Sequence, residues 1–171
     1  YGSVPVLERG PAGSWDDDRV YMPCALRIGG LYHMWYSGYT GDTIAVGYAT
    51  SLDGTIWSKH ESNPVLSPGA GGSWDSAWVW APTVVYREGT FHMWYAGYDG
   101  ETSRIGYATS DDGVNWSKHA GNPVLAPGPT GSWDDDGVRY PTVLVDDTSA
   151  VHLWYSGYDG TRYQIGYATS S

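Results

Sequence analysis

The chain has 171 residues, enough for one ordinary domain, and its 19 acidic against 9 basic residues give a formal net charge of −10. This charge argues against a nucleic-acid partner, which requires a basic surface, and equally against an anionic membrane surface. Cys24 is the only cysteine, so no intrachain disulfide can form, and no run of 18 apolar residues is long enough to cross a membrane as a helix.

A unit of 59 residues is repeated three times along the chain. The motif Gly-Ser-Trp-Asp begins at Gly13, Gly72 and Gly131. The motif His-Met-Trp-Tyr, with Leu for Met in the last unit, begins at His33, His92 and His152. A period of this size is typical of solenoids, arrays and propellers, in which each unit buries its apolar faces only against its neighbours. The chain is therefore predicted to be a single domain of three units, at about residues 5–63, 64–122 and 123–171.

Each unit has the pattern of short antiparallel strands joined by tight turns. The first strands, rich in β-branched and aromatic residues, are predicted at Val20–Ile28, Val79–Arg87 and Val138–Val145. In the second unit an aromatic strand over Phe91–Tyr98 ends at Asp99-Gly100, which is a strong hairpin signal. A third strand follows at Ile105–Thr109, and a fourth begins near Trp116. Three or four such strands make one propeller blade, so the predicted fold is all-β and built of propeller blades.

Recurring small and polar residues are given structural roles. Small residues in the third strands, such as Gly47 and Gly106, indicate a close approach of neighbouring blades. The motif Ser-x-Asp-Gly-x-x-Trp, which begins at Ser51 and Ser110, resembles the Asp-box of sialidase-type propellers but is one residue shorter. We expect its Asp to bond turn amides and its Trp to wedge the hairpin against the blade. The three repeated histidines, which could meet at a metal, are instead assigned to hydrogen-bonded packing.

The whole chain resembles the five-bladed propeller glycoside hydrolases and their relatives. These include the arabinanase and xylosidase group of family 43, the invertase group of family 32 and the mannoside phosphorylases. The resemblance rests on Gly-Ser-Trp-Asp before a strand with Pro, and on His-Met-Trp-Tyr-x-Gly-Tyr, Ile-Gly-Tyr-Ala-Thr-Ser, Asp-Gly-x-x-Trp-Ser-Lys-His and Asn-Pro-Val-Leu. These motifs are specific for the blade, so the resemblance implies the fold more strongly than it implies an activity.

The chain departs from this resemblance at the catalytic positions. The arabinanase-type enzymes use a base in an Asp-Pro pair, an acid-tuning Asp and a general-acid Glu. Here Met22, Ala81 and Tyr140 precede the corresponding prolines, and Thr83 stands where the resemblance implies Asp. All four Glu residues lie in or beside turns rather than on inner strands. The sequence therefore favours a protein that is not an active hydrolase.

Two clusters of aspartates, residues 16–18 and 134–136, precede the inner strands of the first and third units, near the predicted channel. Paired carboxylates there could hydrolyse a glycosidic bond, and the catalytic candidates are Asp18, Asp136 and Asp75. The same clusters could hold Ca²⁺, or could be solvated turns that cap backbone amides. The residues assigned to ligand contacts beside them are Asp16, Asp134, Arg19 and Arg139, although the two arginines could instead form ion pairs.

Two tryptophans of the second unit have no Trp counterpart in the other units. Trp78 and Trp80 stand where the first unit has Arg19 and Tyr21, and the third has Gly137 and Arg139. Extra aromatic side chains at the entry to an inner strand predict a platform on which a sugar ring stacks. The predicted function is a glycan-binding propeller module without a complete hydrolase site. The alternatives are a glycoside hydrolase that uses the Asp clusters, and an engineered or fragmentary scaffold without a ligand.

Three blades do not close a ring, because propellers typically have four to eight. Two chains would supply six blades, so a homodimer is predicted, with cropping from a longer parent as the alternative. Val4-Pro5-Val6-Leu7 matches the Asn-Pro-Val-Leu segments at Asn63 and Asn122, and we expect it to dock on the third blade of a neighbour. The predicted partners are carbohydrate and a second copy of the chain. No cofactor is predicted, and a secreted or periplasmic location is favoured.

Overall fold

The structure is a computed structural model that describes Gly2 and residues 4–170, and all regular elements in that part of the chain are β-strands. The first unit contains β1 to β4, at Arg19–Ile28, Leu31–Tyr39, Ile44–Ser51 and Ser58–Lys59. The second contains β5 to β8, at Trp78–Arg87, Thr90–Tyr98, Ser103–Ser110 and Ser117–Lys118. The third contains β9 to β11, at Gly137–Val145, Val151–Tyr158 and Tyr163–Ser170. The predicted all-β class is confirmed, and each inner strand begins one residue earlier than predicted.

The strands form one curled sheet. Within a unit they pair antiparallel in chain order, and the short β4 and β8 extend their units beyond β3 and β7. Neighbouring units share one parallel pair each, Ile44 with Trp78 and Ser103 with Gly137. We call these two junctions the first and second seams. The curled sheet of three similar units is a partial propeller. No helix in the described part of the chain is long and apolar enough to cross a membrane.

The apolar core lies at the seams, as expected for repeats that bury their faces against one another. At the first seam Trp35 is fully buried, and its Nε1 donates to the carbonyl of Gly113 at 2.8 Å. Its ring packs against Phe91 and Trp116 of the second unit. The corresponding Trp94 at the second seam is 8% exposed. A tryptophan at the same repeat position thus joins each of the first two units to the next.

Each inner strand contains a β-bulge at the residue before its proline. Met22, Ala81 and Tyr140 have φ values of 51°, 51° and 56°, in the left-handed region that residues with a side chain rarely occupy. The strand pairing shifts register at each of these positions. A bulge re-aims the side chain that it carries, and strained positions of this kind cluster at functional sites. On the first inner strand this position, held by Met22, is also where the resemblance implies the aspartate of an Asp-Pro pair.

The glycines of the third strands have a different role from the predicted one. A Cβ atom on Gly106 would lie 2.6 Å from Trp74 and 2.7 Å from Tyr95, both of the same unit. Gly47 is equally close to Trp15 and Tyr36. The prediction of a close approach between blades is therefore wrong at these positions. The small residues instead leave room for two rings of their own blade.

The structural roles assigned to the repeated Asp and His residues are confirmed. The Oδ1 of Asp53 accepts the amides of Thr55 and Ile56, each at 2.8 Å, and Trp57 closes the hairpin by donating to Gly54. The bonds from the Ile56 and Thr55 amides hold the pKa of Asp53 well below its usual range.

The Nδ1 atoms of the repeated histidines lie 2.6–2.7 Å from tyrosine hydroxyls of the adjacent strands, in the pairs His33–Tyr48, His92–Tyr107 and His152–Tyr167.

Candidate functional site

A cavity of about 290 Å³ lies at the N-terminal ends of the inner strands, across the second seam. One part of its wall is aromatic and is formed by Tyr21, Trp78, Trp80, Tyr98, Tyr140 and Tyr158. Another part is polar and is formed by Glu101, Ser103, Asp136 and Arg139. The strand ends thus bring four of the sequence candidates to one place, namely Trp78, Trp80, Arg139 and Asp136.

The aromatic wall is held rigidly. The ring of Trp78 stacks on Tyr98, with centroids 4.9 Å apart, and its Nε1 donates to the carbonyl of Asp42 at 3.1 Å. Trp80 meets Trp78 edge to face at 6.4 Å. Trp80 is only 6% exposed, so most of its ring belongs to the core, whereas Trp78 is half-buried. Trp78 is therefore the better placed of the two for stacking against a ligand.

The polar wall is built around Arg139. Its guanidinium lies over the rings of Tyr158 and Tyr163, at 5.2 and 5.6 Å, which fixes its direction by cation–π attraction. Its Nε and the buried Oγ of Ser103 have no hydrogen-bond partner among the described residues. A Cβ atom on Gly137 would lie 2.4 Å from Ser103 Oγ and 2.8 Å from Arg139 Nη2. Glycine is thus the residue that lets these two groups approach each other.

The two walls differ because the two seams use different residues at equivalent positions. At the first seam the positions are occupied by Ile44, Trp78 and Trp80, and at the second by Ser103, Gly137 and Arg139. The second seam thus has a serine hydroxyl, a glycine without a side chain and an arginine guanidinium where the first seam has large apolar side chains. The cavity that both sets line is consequently part apolar and part polar.

The aspartate and arginine candidates of the first unit lie elsewhere. Asp18 pairs with Arg19 at 3.2 Å on the surface, and Arg19 lies over the ring of Tyr39 at 5.0 Å. Neither of them lines the cavity, so the structure does not bring Asp18 and Asp136 together. Glu101 does line it, from the turn between β6 and β7, although its sequence pattern indicates only a turn residue. The one sequence feature that could have indicated its place in the cavity is that it follows Gly100 in the hairpin before the second seam.

Asp16, Asp75 and Asp134 occupy equivalent buried positions beneath the blades. Their side chains are 2–7% exposed, and each accepts from a serine and a tyrosine hydroxyl of its own unit. Lys59 and Lys118 complete the first two sites at 2.6 Å. Burial and the adjacent carboxylate raise the pKa values of Tyr36 and Tyr95, so these phenols stay protonated as donors. These partners favour structural roles for the three aspartates over ligand-binding or catalytic roles.

Within residues 4–170, no three His, Cys, Asp or Glu side chains come together as a metal site. The predicted alternative of a Ca²⁺ ion at the Asp clusters stays a prediction. A larger groove of about 570 Å³ lies along the second seam, between Trp94 and Val145. Its counterpart at the first seam holds the hairpin of Gly113 and Trp116. This groove is thus equivalent to a position that a hairpin occupies at the first seam.

Comparison with known proteins places this chain among carbohydrate-active proteins. The glycoside hydrolase 130 family, β-1,4-mannooligosaccharide phosphorylase, matches residues 19–127. An uncharacterized protein of Mycobacterium tuberculosis is 32% identical over 153 residues, which are 85% of this chain and 49% of the relative. A 1,2-β-oligomannan phosphorylase of Thermoanaerobacter is 31% identical over 112 residues, 61% of this chain and 36% of the relative.

A solved structure shows the same architecture. The family 117 glycoside hydrolase Zg3597 of Zobellia galactanivorans superposes with a TM-score of 0.79 at 18% identity, over 96% of this chain and 56% of that protein. At this identity the likeness shows the fold alone. The chain spans about half the length of the curated relatives that match along most of it.

The partial propeller with its aromatic and polar cavity defines a protein of the carbohydrate-active propeller class. Within that class the chain belongs to glycoside hydrolase family 130. The resemblance to the mannoside phosphorylases and other propeller glycoside hydrolases is thereby confirmed.

Proposed function

We propose that the chain binds β-mannosides in the cavity between Trp78 and Arg139, without a complete hydrolase site. The observation that carries this proposal is that aromatic and polar side chains line the same cavity at the second seam. The C–H face of a sugar ring stacks on an aromatic side chain, while its hydroxyl groups need donors and acceptors. Trp78 meets the first requirement, and Arg139, Asp136 and Glu101 meet the second. The family and the oligomannan phosphorylase relative support mannose as the sugar.

The catalytic positions support binding rather than turnover. The Asp-Pro pair that the resemblance implies is absent, because the bulges before the three inner-strand prolines carry Met22, Ala81 and Tyr140. Burial raises the pKa of Tyr140, so its hydroxyl serves as a hydrogen-bond donor to a ligand and not as an anion. Asp136 and Glu101 are exposed to solvent, whereas the general acid of a glycosidase works from a site shielded from water.

Calorimetric titration with β-1,2- and β-1,4-mannobiose tests this proposal. We expect binding in the range of about 0.1–1 mM, typical of a shallow site with few polar contacts. Cellobiose, which differs in the configuration at C2, is the ligand control. Trp78→Ala is expected to abolish binding, while Arg19→Ala, at the same repeat position but outside the cavity, leaves it unchanged. Absence of binding would favour the scaffold alternative, and binding that survives Trp78→Ala would place the site elsewhere.

A second candidate function is cleavage of a mannoside by this same cavity. It is favoured by two carboxylates, Asp136 and Glu101, that share the cavity with Arg139. Incubation with β-1,4-mannobiose, with and without inorganic phosphate, tests it by the release of mannose or mannose 1-phosphate. The binding proposal predicts neither product. Turnover that disappears in Asp136→Asn would replace it with the catalytic function.

A further inference from the structure

Arg139 places a positive charge in the wall of the cavity, at a position where the repeat does not need one. The equivalent residues of the first two inner strands are the aromatic Tyr21 and Trp80. The guanidinium donates to the hydroxyl of Tyr163 at 3.3 Å, and its Nε has no hydrogen-bond partner among the described residues. No acidic side chain in that part of the chain forms an ion pair with it.

The first unit shows how an arginine in a similar setting is neutralised. Arg19 and Arg139 each lie over the tyrosine at the same repeat position, at 5.0 and 5.2 Å. Arg19 pairs with Asp18 at 3.2 Å. The repeat equivalent of Asp18 is Asp136, which lines the cavity but forms no ion pair within the described residues. The charge of Arg139 is therefore available to a ligand.

The cavity around this charge has room for about one sugar unit. Its volume of about 290 Å³ is at the small end of ligand pockets, which span about 300–1,000 Å³. Trp78 and Arg139 line the same space, so a ring that stacks on the indole presents its edge groups to the guanidinium. The hydroxyl of Tyr140 is a second donor in this wall. Two donors, one of them charged, favour an anionic acceptor over a neutral hydroxyl group.

Two carboxylates in the same wall restrict the kind of anion that binds. Asp136 and Glu101 are exposed, where water and salt screen their charges, whereas Arg139 is half-buried. A phosphate group carries about two negative charges at neutral pH and would be repelled more strongly than a singly charged group. A carboxylate carries one charge, and its planar shape matches the parallel N–H bonds of a guanidinium edge. The favoured anion is therefore a carboxylate.

We propose, on the basis of the β-mannoside binding proposed above, that the sugar held in this cavity is acidic and that its carboxylate pairs with Arg139. The sugar class that meets both requirements is β-linked mannuronate, which has the ring of mannose with a carboxylate at C6. Its ring stacks on Trp78 and its carboxylate accepts from the guanidinium. The net charge of −10 repels anions over the whole surface, so a preference for this ligand has to come from the local cation.

Calorimetric titration at neutral pH with the β-1,4-linked disaccharides of mannose and of mannuronate tests this pairing. The two ligands share their ring configuration and linkage and differ at C6. We expect the mannuronate disaccharide to bind about tenfold more tightly, because a hydrogen bond between charged groups contributes more than a neutral one. The methyl ester of the mannuronate disaccharide keeps the ring and the carbonyl group but loses the charge. It is expected to bind no more tightly than mannobiose.

Substitution of the arginine gives a second readout. Arg139→Gln is expected to remove the difference in affinity between the two disaccharides. Arg19→Gln is the matched control, because Arg19 lies over the equivalent tyrosine but outside the cavity. This control is expected to keep the preference for the mannuronate disaccharide.

The possible results separate this proposal from the binding of β-mannosides in general. Equal affinity for the two disaccharides would overturn the acidic ligand and leave β-mannoside binding intact, whereas binding of neither would overturn both. A preference that survives in Arg139→Gln or in the methyl ester would also overturn the pairing. Displacement of the mannuronate disaccharide by an equal concentration of inorganic phosphate would overturn the choice of a carboxylate.

Discussion

Inside each blade, one glycine of the third strand is packed so closely that even a Cβ atom would not fit there. Gly106 lies between the rings of Trp74 and Tyr95, at separations where an added Cβ would overlap both. Rings fixed by their own contacts cannot move apart without shifting the strands, because protein interiors are packed about as densely as organic crystals. The same two-ring arrangement recurs at Gly47 and Gly166, so it forms part of the repeat itself.

Gly106→Ala is expected to lower the free energy of unfolding by about 2 kcal/mol, since overpacking a filled core costs roughly 1–3 kcal/mol. Urea denaturation at neutral pH measures the change. Gly71→Ala is the matched control, because Gly71 has no neighbour within 4 Å and an ordinary backbone φ. We expect this control to change stability by less than about 0.5 kcal/mol. Equal effects of the two substitutions would contradict the packing role of Gly106.

At the scale of the strand, regular features of the fold were predictable and irregular ones were not. Alternating apolar residues and Gly-containing turns located β1, β5 and β9 to within one residue. The bulges at Met22, Ala81 and Tyr140 carry no local signal, because a left-handed residue with a side chain is imposed by the sheet around it. The place of Trp78 in the cavity was predictable because this residue breaks the repeat. The place of Glu101 in the same cavity was not, because it depends on how two seams meet in space.

The second strands of the first two units each contribute a histidine whose protonation opposes folding. Burial lowers the pKa values of His33 and His92 below their ordinary 6.5, so the folded protein favours the neutral ring. This contribution to stability is fully present above about pH 6.5 and is lost as the pH falls through the lower folded pKa. The melting temperature should therefore drop between about pH 7.5 and about pH 5.5, and this drop should be smaller in the double variant His33→Gln, His92→Gln. An unchanged drop in the variant would count against this account.

The seam tryptophan of the first unit, Trp35, should contribute more to stability than its counterpart in the third unit, Trp154. Trp35→Phe removes the donor to the buried carbonyl of Gly113 together with part of the ring, and we expect a loss of about 2–4 kcal/mol. Trp154→Phe, at the exposed equivalent position, is expected to cost less than about 1 kcal/mol. Chemical denaturation at a concentration that keeps the chain monomeric compares the two. Similar losses would mean that Trp35 is not a tie between blades.

At the scale of the whole molecule, the net charge of −10 opposes the compact state. Salt screens this repulsion, with a Debye length of about 10 Å at 0.1 M, so added NaCl should raise the melting temperature. Glu61→Lys together with Asp111→Lys, both at exposed positions, reduces the net charge and should weaken the dependence on salt. A melting temperature that falls with NaCl in the same range would show that favourable ion pairs outweigh the repulsion.

The single parallel pair at each seam has a mechanical consequence. The three long strands of a unit share ladders of seven or eight residue pairs, whereas neighbouring units share one parallel pair, Ile44–Trp78 or Ser103–Gly137, and one isolated bridge. A chain stretched between its two ends should therefore yield blade by blade. Each step would release about 200 Å of extended polypeptide, the contour length of one repeat at roughly 3.4 Å per residue.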